Sequence, residues 1–312
     1  MAQVNGNHHW FWFLDYVTWE LAAGGPDPQI RTTSQALRAF DDETAVLLAG
    51  AFVNSYTCAG AAAQWNWLLR GLDLSPKWID EHWGEGLPIR KERRAVKGRQ
   101  RFFEAWQSWR RWCEVDWPVV RHLGPEQFED VWNSIDGMTW GFGRYALMKT
   151  TETLYQRGLL ATRMVDMRPD GAKYPRKTLA RLFPGHAEAL QQVPKLSDPI
   201  AQDLAQVTKA WLEECGVDLN WYQLETVLCT YRQACGQNKY PGRSQDRELM
   251  FFRTAEDYWA RWETNLLEHF SFYTVRRQVF DPLWLGEVNG WNGPRKELED
   301  LWVARYPEGV AY

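Results

Sequence analysis

At 312 residues, 45% hydrophobic and 24% charged, the chain can bury a sizeable core, which excludes disorder and points to one large domain or two intimate ones. A net charge of −4 excludes an unselective nucleic-acid coat, and no apolar run could span a bilayer: the longest, from Ala45 to Val53, is flanked by polar residues. Twenty Trp is far above ordinary usage, so most must be buried or face a ligand.

In chain order, helical periodicity dominates. The opening Asn5, Asn7, His8 and His9 lack the charge and apolar pattern of a secretion signal. Residues 8–23 form an aromatic-rich helix that stops at Gly24-Gly25-Pro26. Two apolar helices follow at 43–57 and 60–72, then a loop-rich stretch from Ser75 to Lys97. Phe102, Trp106, Trp109 and Cys113 share one face of the next helix. Residues 90–122 hold ten Lys or Arg against four acids, a local basic stripe on an otherwise acidic chain. Such a stripe is either a phosphate-docking surface or a solvated helix face.

Further on, a short helix runs from Pro125 to Ile135, a glycine-punctuated turn covers 137–143, and a helix covers 145–157. The segments 166–178 and 184–199 read as loops, with Asp198-Pro199 opening a helix to Cys215. Asn220 caps a helix to Ala234, 236–247 is a polar loop, and Thr254 with Asp257 opens a helix to Phe270. Alternating runs of strand length are missing. The expectation is an all-α chain without a sizeable sheet. It forms one compact helical body over 1–312, with a subdivision into 1–122, which carries the stripe, and 123–312. The five cysteines (Cys58, Cys113, Cys215, Cys229, Cys235) contain no CxxC pair. They point to reduced thiols in a cytoplasm rather than disulfides or a zinc site, and no metal or cofactor is called for.

The chain has no GxxxxGK[ST], HExxH, GxSxG or GxGxxG motif. It does carry Gly141-Phe142-Gly143-Arg144-Tyr145-Ala146 between two helices. Glycine permits positive φ, so such a turn can aim backbone N–H groups at a DNA phosphate at the helix start, with Phe142 plugging the hairpin into the core and Arg144 reinforcing the contact. Downstream, the apolar run from Leu159 ends at Asp166, 23 residues after Gly143. Here the sequence resembles the helix-hairpin-helix DNA glycosylases, which implies a glycosylase-like helical domain with additional helices. Tyr145 stands where the lyase-type members hold their lysine, which argues against lyase activity.

A second resemblance rests on Trp140-Gly141-Phe142-Gly143-Arg144, Tyr174-Pro175-Arg176-Lys177, Leu224-Glu225-Thr226-Val227-Leu228-Cys229, Tyr240-Pro241-Gly242-Arg243 and Asp246-Arg247-Glu248. Together these look like a glycosylase-related family of phage proteins that hypermodify thymine in DNA. The family includes amino acid:DNA transferases and the helical domain associated with 5-hydroxymethyluracil DNA kinases. The resemblance implies a transferase acting in the host cytoplasm on double-stranded DNA with a modified pyrimidine. A separate kinase phosphorylates 5-hydroxymethyluracil, and this protein replaces the phosphate or pyrophosphate with an amine donor, an amino acid or polyamine.

That chemistry needs cations for the leaving group, a carboxylate for the amine proton and aromatics for an extruded base. The residues expected to hold phosphate or DNA are Gly141, Gly143, Arg144, Arg176, Lys177, Arg243 and Arg247, with Arg93, Arg94, Arg110 and Arg111 of the stripe. Asp166, Glu225 and Asp246 are the candidate catalytic carboxylates, Asp166 first. Trp140, Tyr145 and Tyr240 are the candidate stacking surfaces. The same residues also read structurally: Asp166 as a turn aspartate, Arg243 and Asp246 as an ion pair, Cys229 as a core residue. Two other functions fit the pattern, a noncatalytic DNA-binding accessory protein and a base-excision glycosylase.

Overall fold

The computed structural model describes residues 8–90, 98–168, 172–191, 194–235, 240, 242–281, 285 and 300, without the side chains of 194–197. Among these residues the chain is all-helical, with one isolated bridge between Trp83 and Leu87 and no strand. No helix among them is long and apolar enough to cross a membrane.

The helices are α1 (His9–Ala22), α2 (Pro28–Ala36), α3 (Asp42–Ser55), α4 (Cys58–Leu68), α5 (Pro76–His82), α6 (Arg99–Val115), α7 (Trp117–Val120) and α8 (Phe128–Met138). They continue as α9 (Arg144–Arg157), α10 (Lys173–Leu182), α11 (Ala187–Gln191), α12 (Pro194–Glu214), α13 (Trp221–Cys235), α14 (Arg243–Ala260) and α15 (Phe272–Val279). They fall into two compact units that interleave in sequence. Unit 1 holds 1–27, 165–244 and 294–312, and unit 2 holds 28–164 and 245–293.

The expected boundary at 122/123 is therefore not the one the chain makes. Trp10, Phe13 and Val17 of α1 form one buried cluster with Leu179 of α10 and with Leu224, Val227 and Leu228 of α13, a pairing across more than 150 residues of sequence. Burial of apolar faces drives that assembly, and it is indifferent to distance along the chain.

Local signals explain many of the helix ends. Asp41 caps α3 by accepting the Thr44 N–H at 2.8 Å, and Thr57 caps α4 by accepting that of Gly60 at 2.8 Å. Asn220 and Gln223 cap α13 reciprocally, at 2.9 and 3.1 Å.

Other expectations are corrected. Lys173–Leu182 is helix where 166–178 was expected to be loop, Ala187–Gln191 is helix within 184–199, and α5 lies inside the loop-rich stretch. Helix α12 opens at Pro194, with Pro199 inside it. Helix α14 takes in Arg243, Asp246 and Arg247, and Thr254 is an interior residue donating to the Met250 carbonyl at 3.0 Å rather than a cap. Helices α2 and α15 were not foreseen. In α2 the buried face includes Gln29, Thr32, Thr33 and Ser34, so no apolar period marks it.

The core of unit 2 is built on tryptophan. Trp106, Trp109 and Trp112 of α6 and Trp65 of α4 are fully buried. Their indole N–H groups reach Asp73 at 3.3 Å, the Val46 carbonyl at 3.2 Å, Ser134 at 2.9 Å and the Leu48 carbonyl at 3.0 Å, respectively. Each ring thus buries its surface without stranding its donor. Gly50 of α3 makes the approach possible, since a Cβ there would lie 1.9 Å from Trp109 Nε1.

A second aromatic group surrounds His82 at the end of α5. Its ring centroid lies 4.4 Å from that of Trp259, 4.9 Å from Trp262 and 5.2 Å from Trp78, and Nδ1 is 3.0 Å from the Tyr258 hydroxyl. Burial lowers the His82 pKa, so the folded protein favours the neutral ring. Because the unfolded chain then binds more protons, this contribution to stability is complete above a pH of about 6.5 and is lost on acidification. The stability gap between the wild type and His82→Gln should therefore be smaller at pH 5 than at pH 7 in denaturant titrations. A gap independent of pH would mean that His82 does not titrate differently on folding.

Candidate functional site

The hairpin in unit 2 is set by its own sequence. Helix α8 buries Phe128, Val131, Trp132 and Ile135 and ends at Thr139, whose hydroxyl donates to the Ile135 carbonyl at 2.6 Å. Gly141 then takes φ +73°, a conformation that favours glycine. Phe142 is buried with its ring parallel to that of Trp109, centroids 5.7 Å apart and planes at 7°. This stacking fixes the turn against the Trp-rich core. Gly143 (φ −69°, ψ 174°) is the N-cap of α9 and, as a glycine, brings no capping side chain of its own.

Residues 136–143 line an open depression of about 420 Å³. A Cβ on Gly143 would meet no heavy atom within 4 Å, so a ligand can approach the start of α9 closely. Partial positive charge gathers at such a helix start, and a bare glycine cap leaves room for an anion's oxygens. Beside the depression, Trp140 is 44% exposed and its N–H donates to Ser108 Oγ on α6 at 2.9 Å. Arg111, one turn further along α6, is exposed. Tyr145 is only half-exposed, its ring edge-on to Tyr56 at 5.7 Å with the Lys149 ammonium at 5.7 Å. Trp140 is therefore the better stacking surface of the two.

No protein-family model, curated protein or solved structure matches this chain.

Among the six described cations of the stripe, four sit in ion pairs. Arg90 pairs with Glu248 at 3.2 Å, Arg99 with Asp80 at 3.5 Å, Arg110 with Asp73 at 2.9 Å, and Arg121 with Glu43. The acids come from distant segments, which is why a local charge count overstated the field. Arg93 and Arg94 lie outside the described residues. Arg110 is thus a weaker phosphate candidate than expected, while Arg111 makes no ion pair among the described residues.

The other expected site residues divide between the units. Asp166, Arg176, Lys177, Glu225, Tyr240 and Arg243 belong to unit 1, and Asp246 and Arg247 to unit 2. Asp166 accepts the Arg168 N–H at 2.8 Å and lies 3.7 Å from its guanidinium, closing a turn in which Arg168 has φ +50°. That is a structural task for a turn aspartate. Arg176 is buried on α10 in an ion pair with Asp198, and Tyr240 is buried, so the two are corrected as free phosphate ligand and stacking surface. Lys177 is exposed on α10, and Arg243 and Arg247 are half-buried on α14. Asp246 is buried, as is Glu225 on α13.

Along α13, unit 1 assembles buried polar groups beyond the expected site residues. Thr226 donates to Asp27 at 3.2 Å, and Thr230, one turn on, lies 2.7 Å from the Tyr16 hydroxyl, which donates to Glu20 at 3.0 Å. All of these except Thr230 are buried. Burial and the neighbouring Glu20 carboxylate raise the Tyr16 pKa well above the ordinary value of 10.0, keeping the hydroxyl protonated as a donor. The signal was available as polar pairs at i, i+4 inside apolar helices, Tyr16 with Glu20 and Thr226 with Thr230. Among the described residues no group of three His, Cys, Asp or Glu could hold a metal ion.

Proposed function

We propose that this protein acts on DNA and anchors a backbone phosphate at the α8–α9 hairpin. The observation that carries this reading is the glycine-capped start of α9 at the rim of an open depression, with Gly141 at positive φ and Trp140 exposed beside it. Backbone amides at a helix start bind phosphate without reading sequence, and an exposed indole adds an apolar contact to a base or sugar.

The reaction we assign is the replacement of phosphate or pyrophosphate on 5-hydroxymethyluracil by an amine. The amine nitrogen forms a bond to the exocyclic methylene carbon as the carbon–oxygen bond breaks, the phosphate leaves with the electron pair, and a carboxylate takes the ammonium proton. Asp166 is committed to its own turn, which leaves Glu225 and Asp246 as the carboxylates to test for this role.

The test has two parts. Anisotropy should show binding of a duplex carrying phosphorylated 5-hydroxymethyluracil, weakening steeply as salt rises because each phosphate contact releases about one counterion. Mass spectrometry of nucleosides should then show a new aminomethyl pyrimidine after incubation with the upstream kinase and candidate amines. Binding without product overturns the transfer reaction and leaves an accessory protein. No binding at low salt overturns both.

A further inference from the structure

We infer that Asp136 receives the amine donor: its carboxylate holds one ammonium of a diamine or polyamine, and so selects such donors over simple amino acids. The inference rests on the amine-transfer reading above and names the donor class. All the residues concerned belong to unit 2.

Asp136 lies in the last turn of α8 and is exposed. The helix dipole disfavours a carboxylate there, and no basic residue shares that turn. Its carboxylate makes neither a hydrogen bond nor an ion pair among the described residues. An acid in water needs no partner, so what singles Asp136 out is its place. It lines the hairpin depression of about 420 Å³, a volume within the roughly 300–1,000 Å³ of small-molecule sites. Among the described residues on that lining, it is the only one with an ionisable side chain. A Cβ on neighbouring Gly137 would meet no heavy atom within 4 Å, so a donor chain can pass close to the backbone. Trp140, on the same lining and exposed, offers an indole, the aromatic ring that attracts a cation best.

These features set the chemistry of the donor. Asp136 and Gly143 are the first and last residues of the lining segment, one at the close of α8 and the other at the start of α9. A phosphate at Gly143 and an ammonium at Asp136 each meet charge of the opposite sign. A linear diamine has a second nitrogen to spare for the reaction. While one ammonium is held, the other nitrogen enters as the free amine and bonds to the exocyclic methylene carbon. The phosphate leaves with the carbon–oxygen electron pair, and the surplus proton on the new C–N nitrogen passes to the base. A simple amino acid has one nitrogen, which must react, and brings a carboxylate that Asp136 repels.

The experiment gives a duplex carrying phosphorylated 5-hydroxymethyluracil, with cadaverine or glycine as donor, to the wild type, Asp136→Asn and Asp136→Glu, and follows product nucleosides by mass spectrometry. The wild type should favour cadaverine over glycine in kcat/KM by about tenfold or more, the scale of one charge-assisted contact. Asp136→Asn should raise KM for cadaverine and bring that ratio towards one, and Asp136→Glu should recover part of it. In Asp136→Asn duplex affinity should hold or rise, because a negative charge beside the phosphate is gone, and the unfolding temperature should do the same, because α8 loses an acid its dipole disfavours. Two results overturn the inference: a wild type that uses glycine as well as cadaverine, and an Asp136→Asn protein that keeps the wild-type preference. A wild type that binds the duplex but forms no product with any amine removes the transfer reading, and the inference with it.

Discussion

Replacing Gly143 by Asp is expected to weaken duplex DNA binding by about tenfold or more while leaving the protein as stable as before, or slightly more so. The two effects share one cause. Gly143 has nearly the backbone of Asp41, φ −69° and ψ 174° against −62° and 166°, and Asp41 caps α3 with its carboxylate on the Thr44 N–H. An Asp at 143 meets no steric obstacle, since a Cβ there faces open space. It should cap α9 in the same way, with a gain of a few tenths of a kcal/mol over glycine. The same carboxylate then occupies the anion position and repels phosphate, and loss of about 1.4 kcal/mol is tenfold in affinity. Anisotropy titrations at fixed salt, run beside thermal melts, read both effects. Unchanged affinity in a well-folded Gly143→Asp protein would remove the hairpin from the interface. Reduced affinity with a lowered melting temperature would point to damage rather than competition.

Arg90→Met should cost about 3–5 kcal/mol at neutral pH, the usual consequence of stranding a buried carboxylate. Arg90 and Glu248 are both nearly inaccessible. Burial raises the Glu248 pKa above its ordinary 4.5, and Arg90 is the strongest influence pulling it back down. Without Arg90 the folded-state pKa rises further. A carboxyl whose folded pKa is raised contributes stability that is complete below its unfolded value, and loses it as pH climbs through the folded one. The deficit of Arg90→Met should therefore shrink on acidification towards pH 5. Adding Glu248→Gln should recover most of the loss at pH 7, because the amide still accepts the Cys58 N–H and no charge remains buried. Urea denaturation of the two single variants and the double variant, at pH 7 and 5, gives the coupling directly. Equal deficits at both pH values, or no recovery in the double variant, would show that the pair is not the source of the cost.

Much of the candidate site was legible in the sequence, and the rest was hidden for definite reasons. Gly141-Phe142-Gly143 could be read as a hairpin because positive φ and a core plug are local properties of glycine and phenylalanine. Arg176 and Tyr240 could not be read correctly, because their burial depends on Asp198 and on the apolar cluster of unit 1. The stripe misled for the same reason: its counter-charges Asp73, Asp80, Glu43 and Glu248 are remote in sequence.

By itself, the sequence determined the helical class, many of the helix ends and the hairpin. Those follow from side-chain period, capping chemistry and glycine's freedom, all of which act within a few residues. Tertiary structure alone decided the interleaving of the two units, the helicity of 173–182 and 243–260, and which charges remain available to a ligand. Helices with buried polar faces are weak on their own and form because packing supplies the partners and the burial. Charge, likewise, is a property of the residues in sequence but of the neighbours in space. That is why a stripe of ten cations became, at Arg90, Arg99, Arg110 and Arg121, a set of ion pairs.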